Sequence, residues 1–240
     1  MDRDKLTQLA ERLVLQGKID AAIAQYELLV KDNPRDMNTI NKIGDLYSRL
    51  GKKKEAILQF NKIGEHYAKD GFFLKAIAIY KKIVKLDPAF IESYQRLADL
   101  YAQQGLVTEA RSQYLFVAEK YLKSNGLKQA IKAYAAIVRL DPESLEPRMA
   151  MADLLAKDCR PSEAADEYQR VAEELAKKGK EKEARQAYRK AAELQPASPA
   201  HVFPPQTPIF GNNRATQPDH PDSDRQKNGF RRENQPMQRR

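Results

Sequence analysis

Tryptophan is absent from this chain, and only one cysteine, Cys159, and three histidines, His66, His201 and His220, are present. A single cysteine excludes an intramolecular disulfide framework and a cysteine-based metal site. No two histidines stand at metal-ligand spacing on one helix face, so no metal or other cofactor is expected. No apolar run approaches the roughly 20 residues needed to cross a bilayer. The opening "MDRDKLTQLAERL" carries acids where a secretory signal would carry a basic region. These features predict a soluble, cytoplasmic protein without a transmembrane segment. Glycine is sparse, at 10 of 240 residues. Alanine, lysine, leucine, glutamate and glutamine are plentiful, a composition that favours helices over sheets.

The formal net charge is +9, and residues 197–240 hold seven Lys/Arg against four Asp/Glu. The rest of the excess is interspersed with acids, which describes a mixed solvated surface rather than a nucleic-acid stripe. No nucleic-acid partner is expected.

What the chain does have is repetition. Pro34, Pro88, Pro142 and Pro196 stand 54 residues apart. Tyr26, Tyr80, Tyr134 and Tyr188 keep the same step, as do Ala22, Ala76, Ala130 and Ala184. Windows of 34 residues starting at 3, 37, 57, 91, 111, 145 and 165 expose a finer order. Their eighth place is small: Ala10, Gly44, Gly64, Ala98, Ala118, Ala152 and Ala172. Their twentieth is alanine, and their twenty-fourth is aromatic (Tyr26, Phe60, Tyr80, Tyr114, Tyr134, Tyr168, Tyr188). Small residues let antiparallel helices approach closely, and the aromatic fills the space toward the next hairpin. The fifteenth place is Gly or Asn except at Cys159, which suits a turn that ends the first helix.

Windows starting at 37, 91 and 145 should close on a helix-stopping proline, but those places hold Ala68, Leu122 and Ala176. The helices near 53–69, 107–123 and 161–178 therefore run on, each closing one hairpin and opening the next. The expectation is an all-α fold: an α-solenoid with a 54-residue, three-helix super-repeat and about 11 helices over residues 1–196. Residues 197–240, with seven prolines and no helical period, are expected to form a disordered, basic tail. The last helix, "KEARQAYRKAAELQP", suits a cap, with Arg185, Arg189, Lys190 and Glu193 available for its outer side. At the other end, Leu13, Val14 and Leu15 make a less polar first helix, for which fraying or ordinary packing is the expectation.

These columns resemble the tetratricopeptide repeat over about residues 3–196, and the architecture resembles bacterial scaffold proteins of that family. One departure is the fourth place, where Leu6, Ile40, Phe60, Tyr94, Tyr114, Arg148 and Tyr168 stand instead of the usual tryptophan. The resemblance implies a non-catalytic protein–protein interaction scaffold that binds a peptide or partner protein on its concave face. A second implied role is a membrane-surface or assembly adaptor of a larger bacterial complex, of pilus or secretion type, using the basic tail.

No enzyme site assembles from the residues. Cys159 occupies a turn place with no recurring histidine beside it. "GKKKEA" at 51–56 lacks the second glycine and the Lys-Ser/Thr ending of a phosphate loop. For binding, the resemblance points to the fifth and ninth places. The ninth is acidic in every window: Glu11, Asp45, Glu65, Asp99, Glu119, Asp153 and Glu173. Asn41, Asn61, Gln95 and Gln169 are the polar fifth places. Thr7, Leu115 and Met149 fill the others, so the family's Lys/Asn clamp for a terminal carboxylate is not present.

Two readings of the ladder compete. It can form an anionic groove for a basic or amine-bearing peptide. Alternatively, Arg49, Lys69, Lys123, Lys157 and Lys177, each four residues beyond an acid, neutralise it within each helix.

Overall fold

The computed structural model of the protein describes residues 2–194. They form eleven helices and no strand: α1 Arg3–Leu15, α2 Ile19–Asp32, α3 Met37–Arg49, α4 Lys53–Lys69, α5 Phe73–Leu86, α6 Ile91–Gln103, α7 Val107–Lys123, α8 Leu127–Leu140, α9 Leu145–Lys157, α10 Pro161–Lys177 and α11 Glu181–Leu194. The predicted tail, with the proposed boundary at residue 196, lies outside the described residues. Each helix packs mainly on the one before and the one after it, so the array is a solenoid.

The shared helices are where the missing prolines place them. α4, α7 and α10 have 17 residues each, whereas the others have 13 or 14. α2, α5 and α8 stop at Asn33, Asp87 and Asp141, immediately before Pro34, Pro88 and Pro142. The ring and the missing nitrogen donor of proline make continuation costly there.

The small columns do what close packing requires. A Cβ on Gly44 would stand 2.6 Å from the buried ring of Phe60, and one on Gly64 would stand 2.8 Å from that of Tyr80. The core is a chain of overlapping clusters rather than one centre. Tyr134 touches both the cluster around Phe60 and Tyr80 and the cluster around Val117 and Tyr168. At the start, Leu6, Leu13 and Val14 of α1 pack on a further cluster around Tyr26 and Ile43, while Leu15 is 89% exposed. Ordinary packing is therefore what α1 does.

Cys159 shares its backbone geometry with the glycines it replaces. Its φ is 56°, and Gly51 and Gly105 in the same place have 71° each. A Cβ in the left-handed region is strained, so this turn is held by the hairpin around it.

Arg148 departs from the aromatic fourth place but keeps part of its job. Tyr94 donates its hydroxyl to the carbonyl of Pro88 at 3.2 Å and stacks on Phe116 at 4.2 Å. One period later, Arg148 donates to the carbonyl of Pro142 at 3.1 Å and pairs with Glu167 at 2.7 Å. Glu167 also receives Arg170, which stands where Phe116 would recur. A ring stack has been replaced by a largely buried ion network.

Candidate functional site

Each ladder acid sits fifteen residues before a ring of the aromatic column, in the helix that follows it. Glu11 is so related to Tyr26, Asp45 to Phe60, Glu65 to Tyr80, Asp99 to Tyr114, Glu119 to Tyr134, Asp153 to Tyr168 and Glu173 to Tyr188. Four of these pairs receive a base from farther along the chain. Lys42 reaches Glu11 at 3.0 Å with its ammonium 5.4 Å from the Tyr26 ring centre. Arg96 reaches Glu65 at 3.5 Å. Lys82 pairs with Asp45 and lies 4.3 Å over Phe60; Lys190 pairs with Asp153 at 2.8 Å and lies 4.9 Å over Tyr168. An ammonium over a ring face gains from the ring's negative quadrupole as well as from the carboxylate.

This overturns most of the intrahelical neutralisation expected from the sequence. Of the five bases expected to do so, Lys123 alone among the described residues forms a direct ion pair with the ladder acid four residues before it, Glu119. Lys177 turns to Glu174 instead, and Asp45, Glu65 and Asp153 take bases from a later helix. A base two helices farther on ties one hairpin to the next, where one on the same helix would satisfy only its own. Lys190 likewise leaves the outer side assigned to it and turns to Asp153.

The polar fifth places support the ladder directly. Asn41 donates to Asp45 at 3.2 Å, Gln95 to Asp99 at 3.0 Å and Gln169 to Glu173 at 3.0 Å. Among the described residues Asn61 makes no such bond to Glu65. Tyr114 donates its hydroxyl to Asp99 at 2.6 Å, and Tyr168 donates to Asp153.

Burial and the adjacent carboxylate push both hydroxyls up, since each disfavours a phenolate. At Asp153, burial by itself would raise the carboxyl. The bonds from Lys190 and Tyr168 outweigh it, and the acid is held below the ordinary value. The hydrogen bond to Glu11 holds Lys42 above the ordinary lysine value.

Midway along the array the face opens into a groove of about 590 Å³. Glu65 and Ala68 of α4, Tyr80 of α5, Arg96, Asp99, Leu100 and Gln103 of α6 and Tyr114 of α7 line it. Of the sequence-predicted residues, Glu65 and Asp99 meet in this groove, and Gln95 is bonded to Asp99. Asn41 and Asp45 meet at Lys82. Glu11, Glu119, Asp153 and Glu173 hold rungs elsewhere. Lys42, Lys82, Arg96 and Lys190 were not among the site residues expected from the sequence, although spacings of 31 and 37 residues beyond an acid mark them all.

Among the described residues no group of His, Cys, Asp or Glu is arranged to hold a metal ion, and no helix is long and apolar enough to cross a membrane.

Sequence models of the tetratricopeptide repeat match residues 61–120 and 118–177, and a second such model matches 38–63 and 165–198. The chain belongs to the tetratricopeptide repeat family. Curated relatives include the BBSome complex member BBS4 of Bos taurus, 32% identical over 120 residues, covering 45% of this chain and 23% of that protein. A TPR repeat-containing protein of Methanocaldococcus jannaschii is 23% identical over 158 residues, 65% of this chain and 28% of that one. The chain thus spans about a quarter of the length of these relatives. Among solved structures, a signal transduction ATPase with a tetratricopeptide repeat sensor from Pyrococcus horikoshii aligns over 80% of this chain and 36% of its own, at 18% identity and a TM-score of 0.48. Tetratricopeptide repeats suggest a protein–protein interaction scaffold.

Proposed function

We propose that the acid-lined face of this repeat array docks a partner segment of basic character. The observation that carries this reading is the central groove, where Glu65 and Asp99 outnumber the single base Arg96 between the rings of Tyr80 and Tyr114. An excess of acid favours cationic ligands over anionic ones. The expected ligand is an extended or helical protein segment bearing lysine or arginine. No chemical transformation is assigned to the groove. The concave-face residues expected to line the docking surface are the acids at the ninth places with Asn41, Gln95 and Gln169 beside them.

The test is selection from a random peptide library displayed on phage, with the full chain as bait. Enriched sequences should carry more lysine and arginine than the library, and they should bind less tightly as salt rises. A triple variant, Glu65→Gln with Asp99→Asn and Glu119→Gln, should lose them. An enriched set with no basic bias, or one that binds the triple variant equally, overturns the proposal.

A further inference from the structure

We infer that the Asp99–Tyr114 rung is a specific binding niche for a primary ammonium, supplied in trans by a lysine side chain of the docked segment. This rests on the docking face proposed above and names one contact within it.

The fold supplies its own template. At the equivalent place one period earlier, Asp45 is paired with Lys82, whose ammonium also lies over the Phe60 ring. One period later, Asp153 is paired with Lys190, whose ammonium lies over the Tyr168 ring. In both cases the lysine follows its acid by 37 residues. At Asp99 that position is Ala136, whose side chain ends at Cβ.

The remaining parts of the niche are intact. Asp99 is half-buried and held by Gln95 at 3.0 Å and by the Tyr114 hydroxyl at 2.6 Å. Tyr114 is buried in the same relation to Asp99 as Tyr168 is to Asp153. Among the described residues Asp99 forms no ion pair. Arg96, on the same helix, is engaged by Glu65, and Arg139 of α8 lies within electrostatic reach of Tyr114 without pairing with Asp99.

The niche also differs from its two templates in being part of the open groove, since Asp99 and Tyr114 both line it. An acid aimed into a groove and held by two neutral donors has no base within the described residues to balance it. One protein position, Ala136, separates a closed internal staple from an open receptor for the same group. A guanidinium is planar and forks onto a carboxylate, whereas the two templates present a compact ammonium between acid and ring; this favours lysine over arginine.

The experiment uses the full chain, isotopically labelled, titrated with N-acetyl-lysine methylamide and, in parallel, with the norleucine analogue, which lacks the ammonium. The lysine compound should shift the Gln95 side-chain amide and the Asp99 and Tyr114 backbone resonances saturably, and the norleucine compound should not. Asp99→Asn should weaken the lysine compound by about tenfold or more, the scale of a lost charged hydrogen bond. Ala136→Lys should do the same by filling the niche from within, as Lys82 and Lys190 fill theirs. If the introduced lysine disturbs α8, Asp99→Asn still decides the matter.

Equal shifts from the norleucine compound, or unchanged affinity in Asp99→Asn, overturn the inference. The selected basic peptides separate the two proposals. If they bind Asp99→Asn as tightly as the native chain, the docking face stands and the ammonium niche falls. If no basic peptide is selected yet the lysine compound still shifts Gln95 and Asp99, the niche stands and the extended face falls.

Discussion

The first unit, α3 to α5, and the second, α6 to α8, have the same path and nearly the same helix lengths, but they satisfy their polar groups differently. At the start of α3, Asp36 accepts from the backbone nitrogen of Thr39 at 3.1 Å and from its hydroxyl at 2.7 Å, and pairs with Arg3. At the start of α6 the cap is Phe90, whose side chain has no acceptor to offer. Ser93, standing where Thr39 would recur, is fully buried and its hydroxyl has no partner among the described residues. Lys82 closes the first unit's acid–ring pair, and Ala136 leaves the second unit's pair without a base. The first unit's cap and ladder acids are all partnered, with Arg3 of α1 and Arg96 of α6 contributing from outside it. The second exchanges polar satisfaction for apolar contact at its cap, where Phe90 packs against the core, and for an open acid in its groove.

Removing the cap should have the largest effect on this contrast. Asp36→Ala is expected to cost about 2 kcal/mol, the upper range for a helix cap, because Thr39 loses two bonds at once. Urea unfolding checks it, and a loss well under 1 kcal/mol would mean that the cap adds little to α3. The same residue brings a pH signature. Burial alone would raise the Asp36 carboxyl, but the Thr39 bonds and Arg3 outweigh it and hold it below the ordinary 3.8. Its contribution is therefore complete above that value and fades as the pH falls through the lower folded-state value. The stability gap between the native chain and Asp36→Asn should narrow over that acid range and be constant near neutrality.

Next in size, Gly44→Ala should destabilise by about 1 kcal/mol: overpacking against Phe60 exceeds the roughly 1 kcal/mol gained in helix propensity. The second unit already carries alanine there, Ala98. A stabilised variant would show that the Phe60 ring can retreat.

Ser93→Ala should act in the opposite direction and stabilise by about 1 kcal/mol, since it removes a buried hydroxyl with no partner. A loss of stability would show that the hydroxyl is satisfied by water. Smallest of all, Lys82→Met should cost about 0.5 kcal/mol, because a half-exposed ion pair is worth little even with a ring beneath it. Thermal unfolding of this variant beside the native chain measures it.

The hairpins were legible because packing acts on a fixed period. Gly44 and Phe60, or Gly64 and Tyr80, must meet wherever the two columns recur, and proline stops a helix whatever surrounds it. The absence of proline at Ala68, Leu122 and Ala176 was as informative as its presence elsewhere, and α4, α7 and α10 run through those positions. The acids were equally visible; their partners were not. A base four residues away is the obvious neighbour along one helix. Yet in the packed array a long basic side chain reaches a carboxylate two helices earlier, as Lys82, Arg96 and Lys190 show.

The amino-acid sequence by itself determined the number of helices, their boundaries and the column of seven carboxylates, because each follows from local backbone preference and a repeated small–aromatic fit. Only the tertiary structure decided which carboxylates are stapled and which are left without a base among the described residues. For Glu11, Asp45, Glu65 and Asp153 that choice depends on a side chain 31 or 37 residues away, and proximity of that kind exists only after the helices have packed.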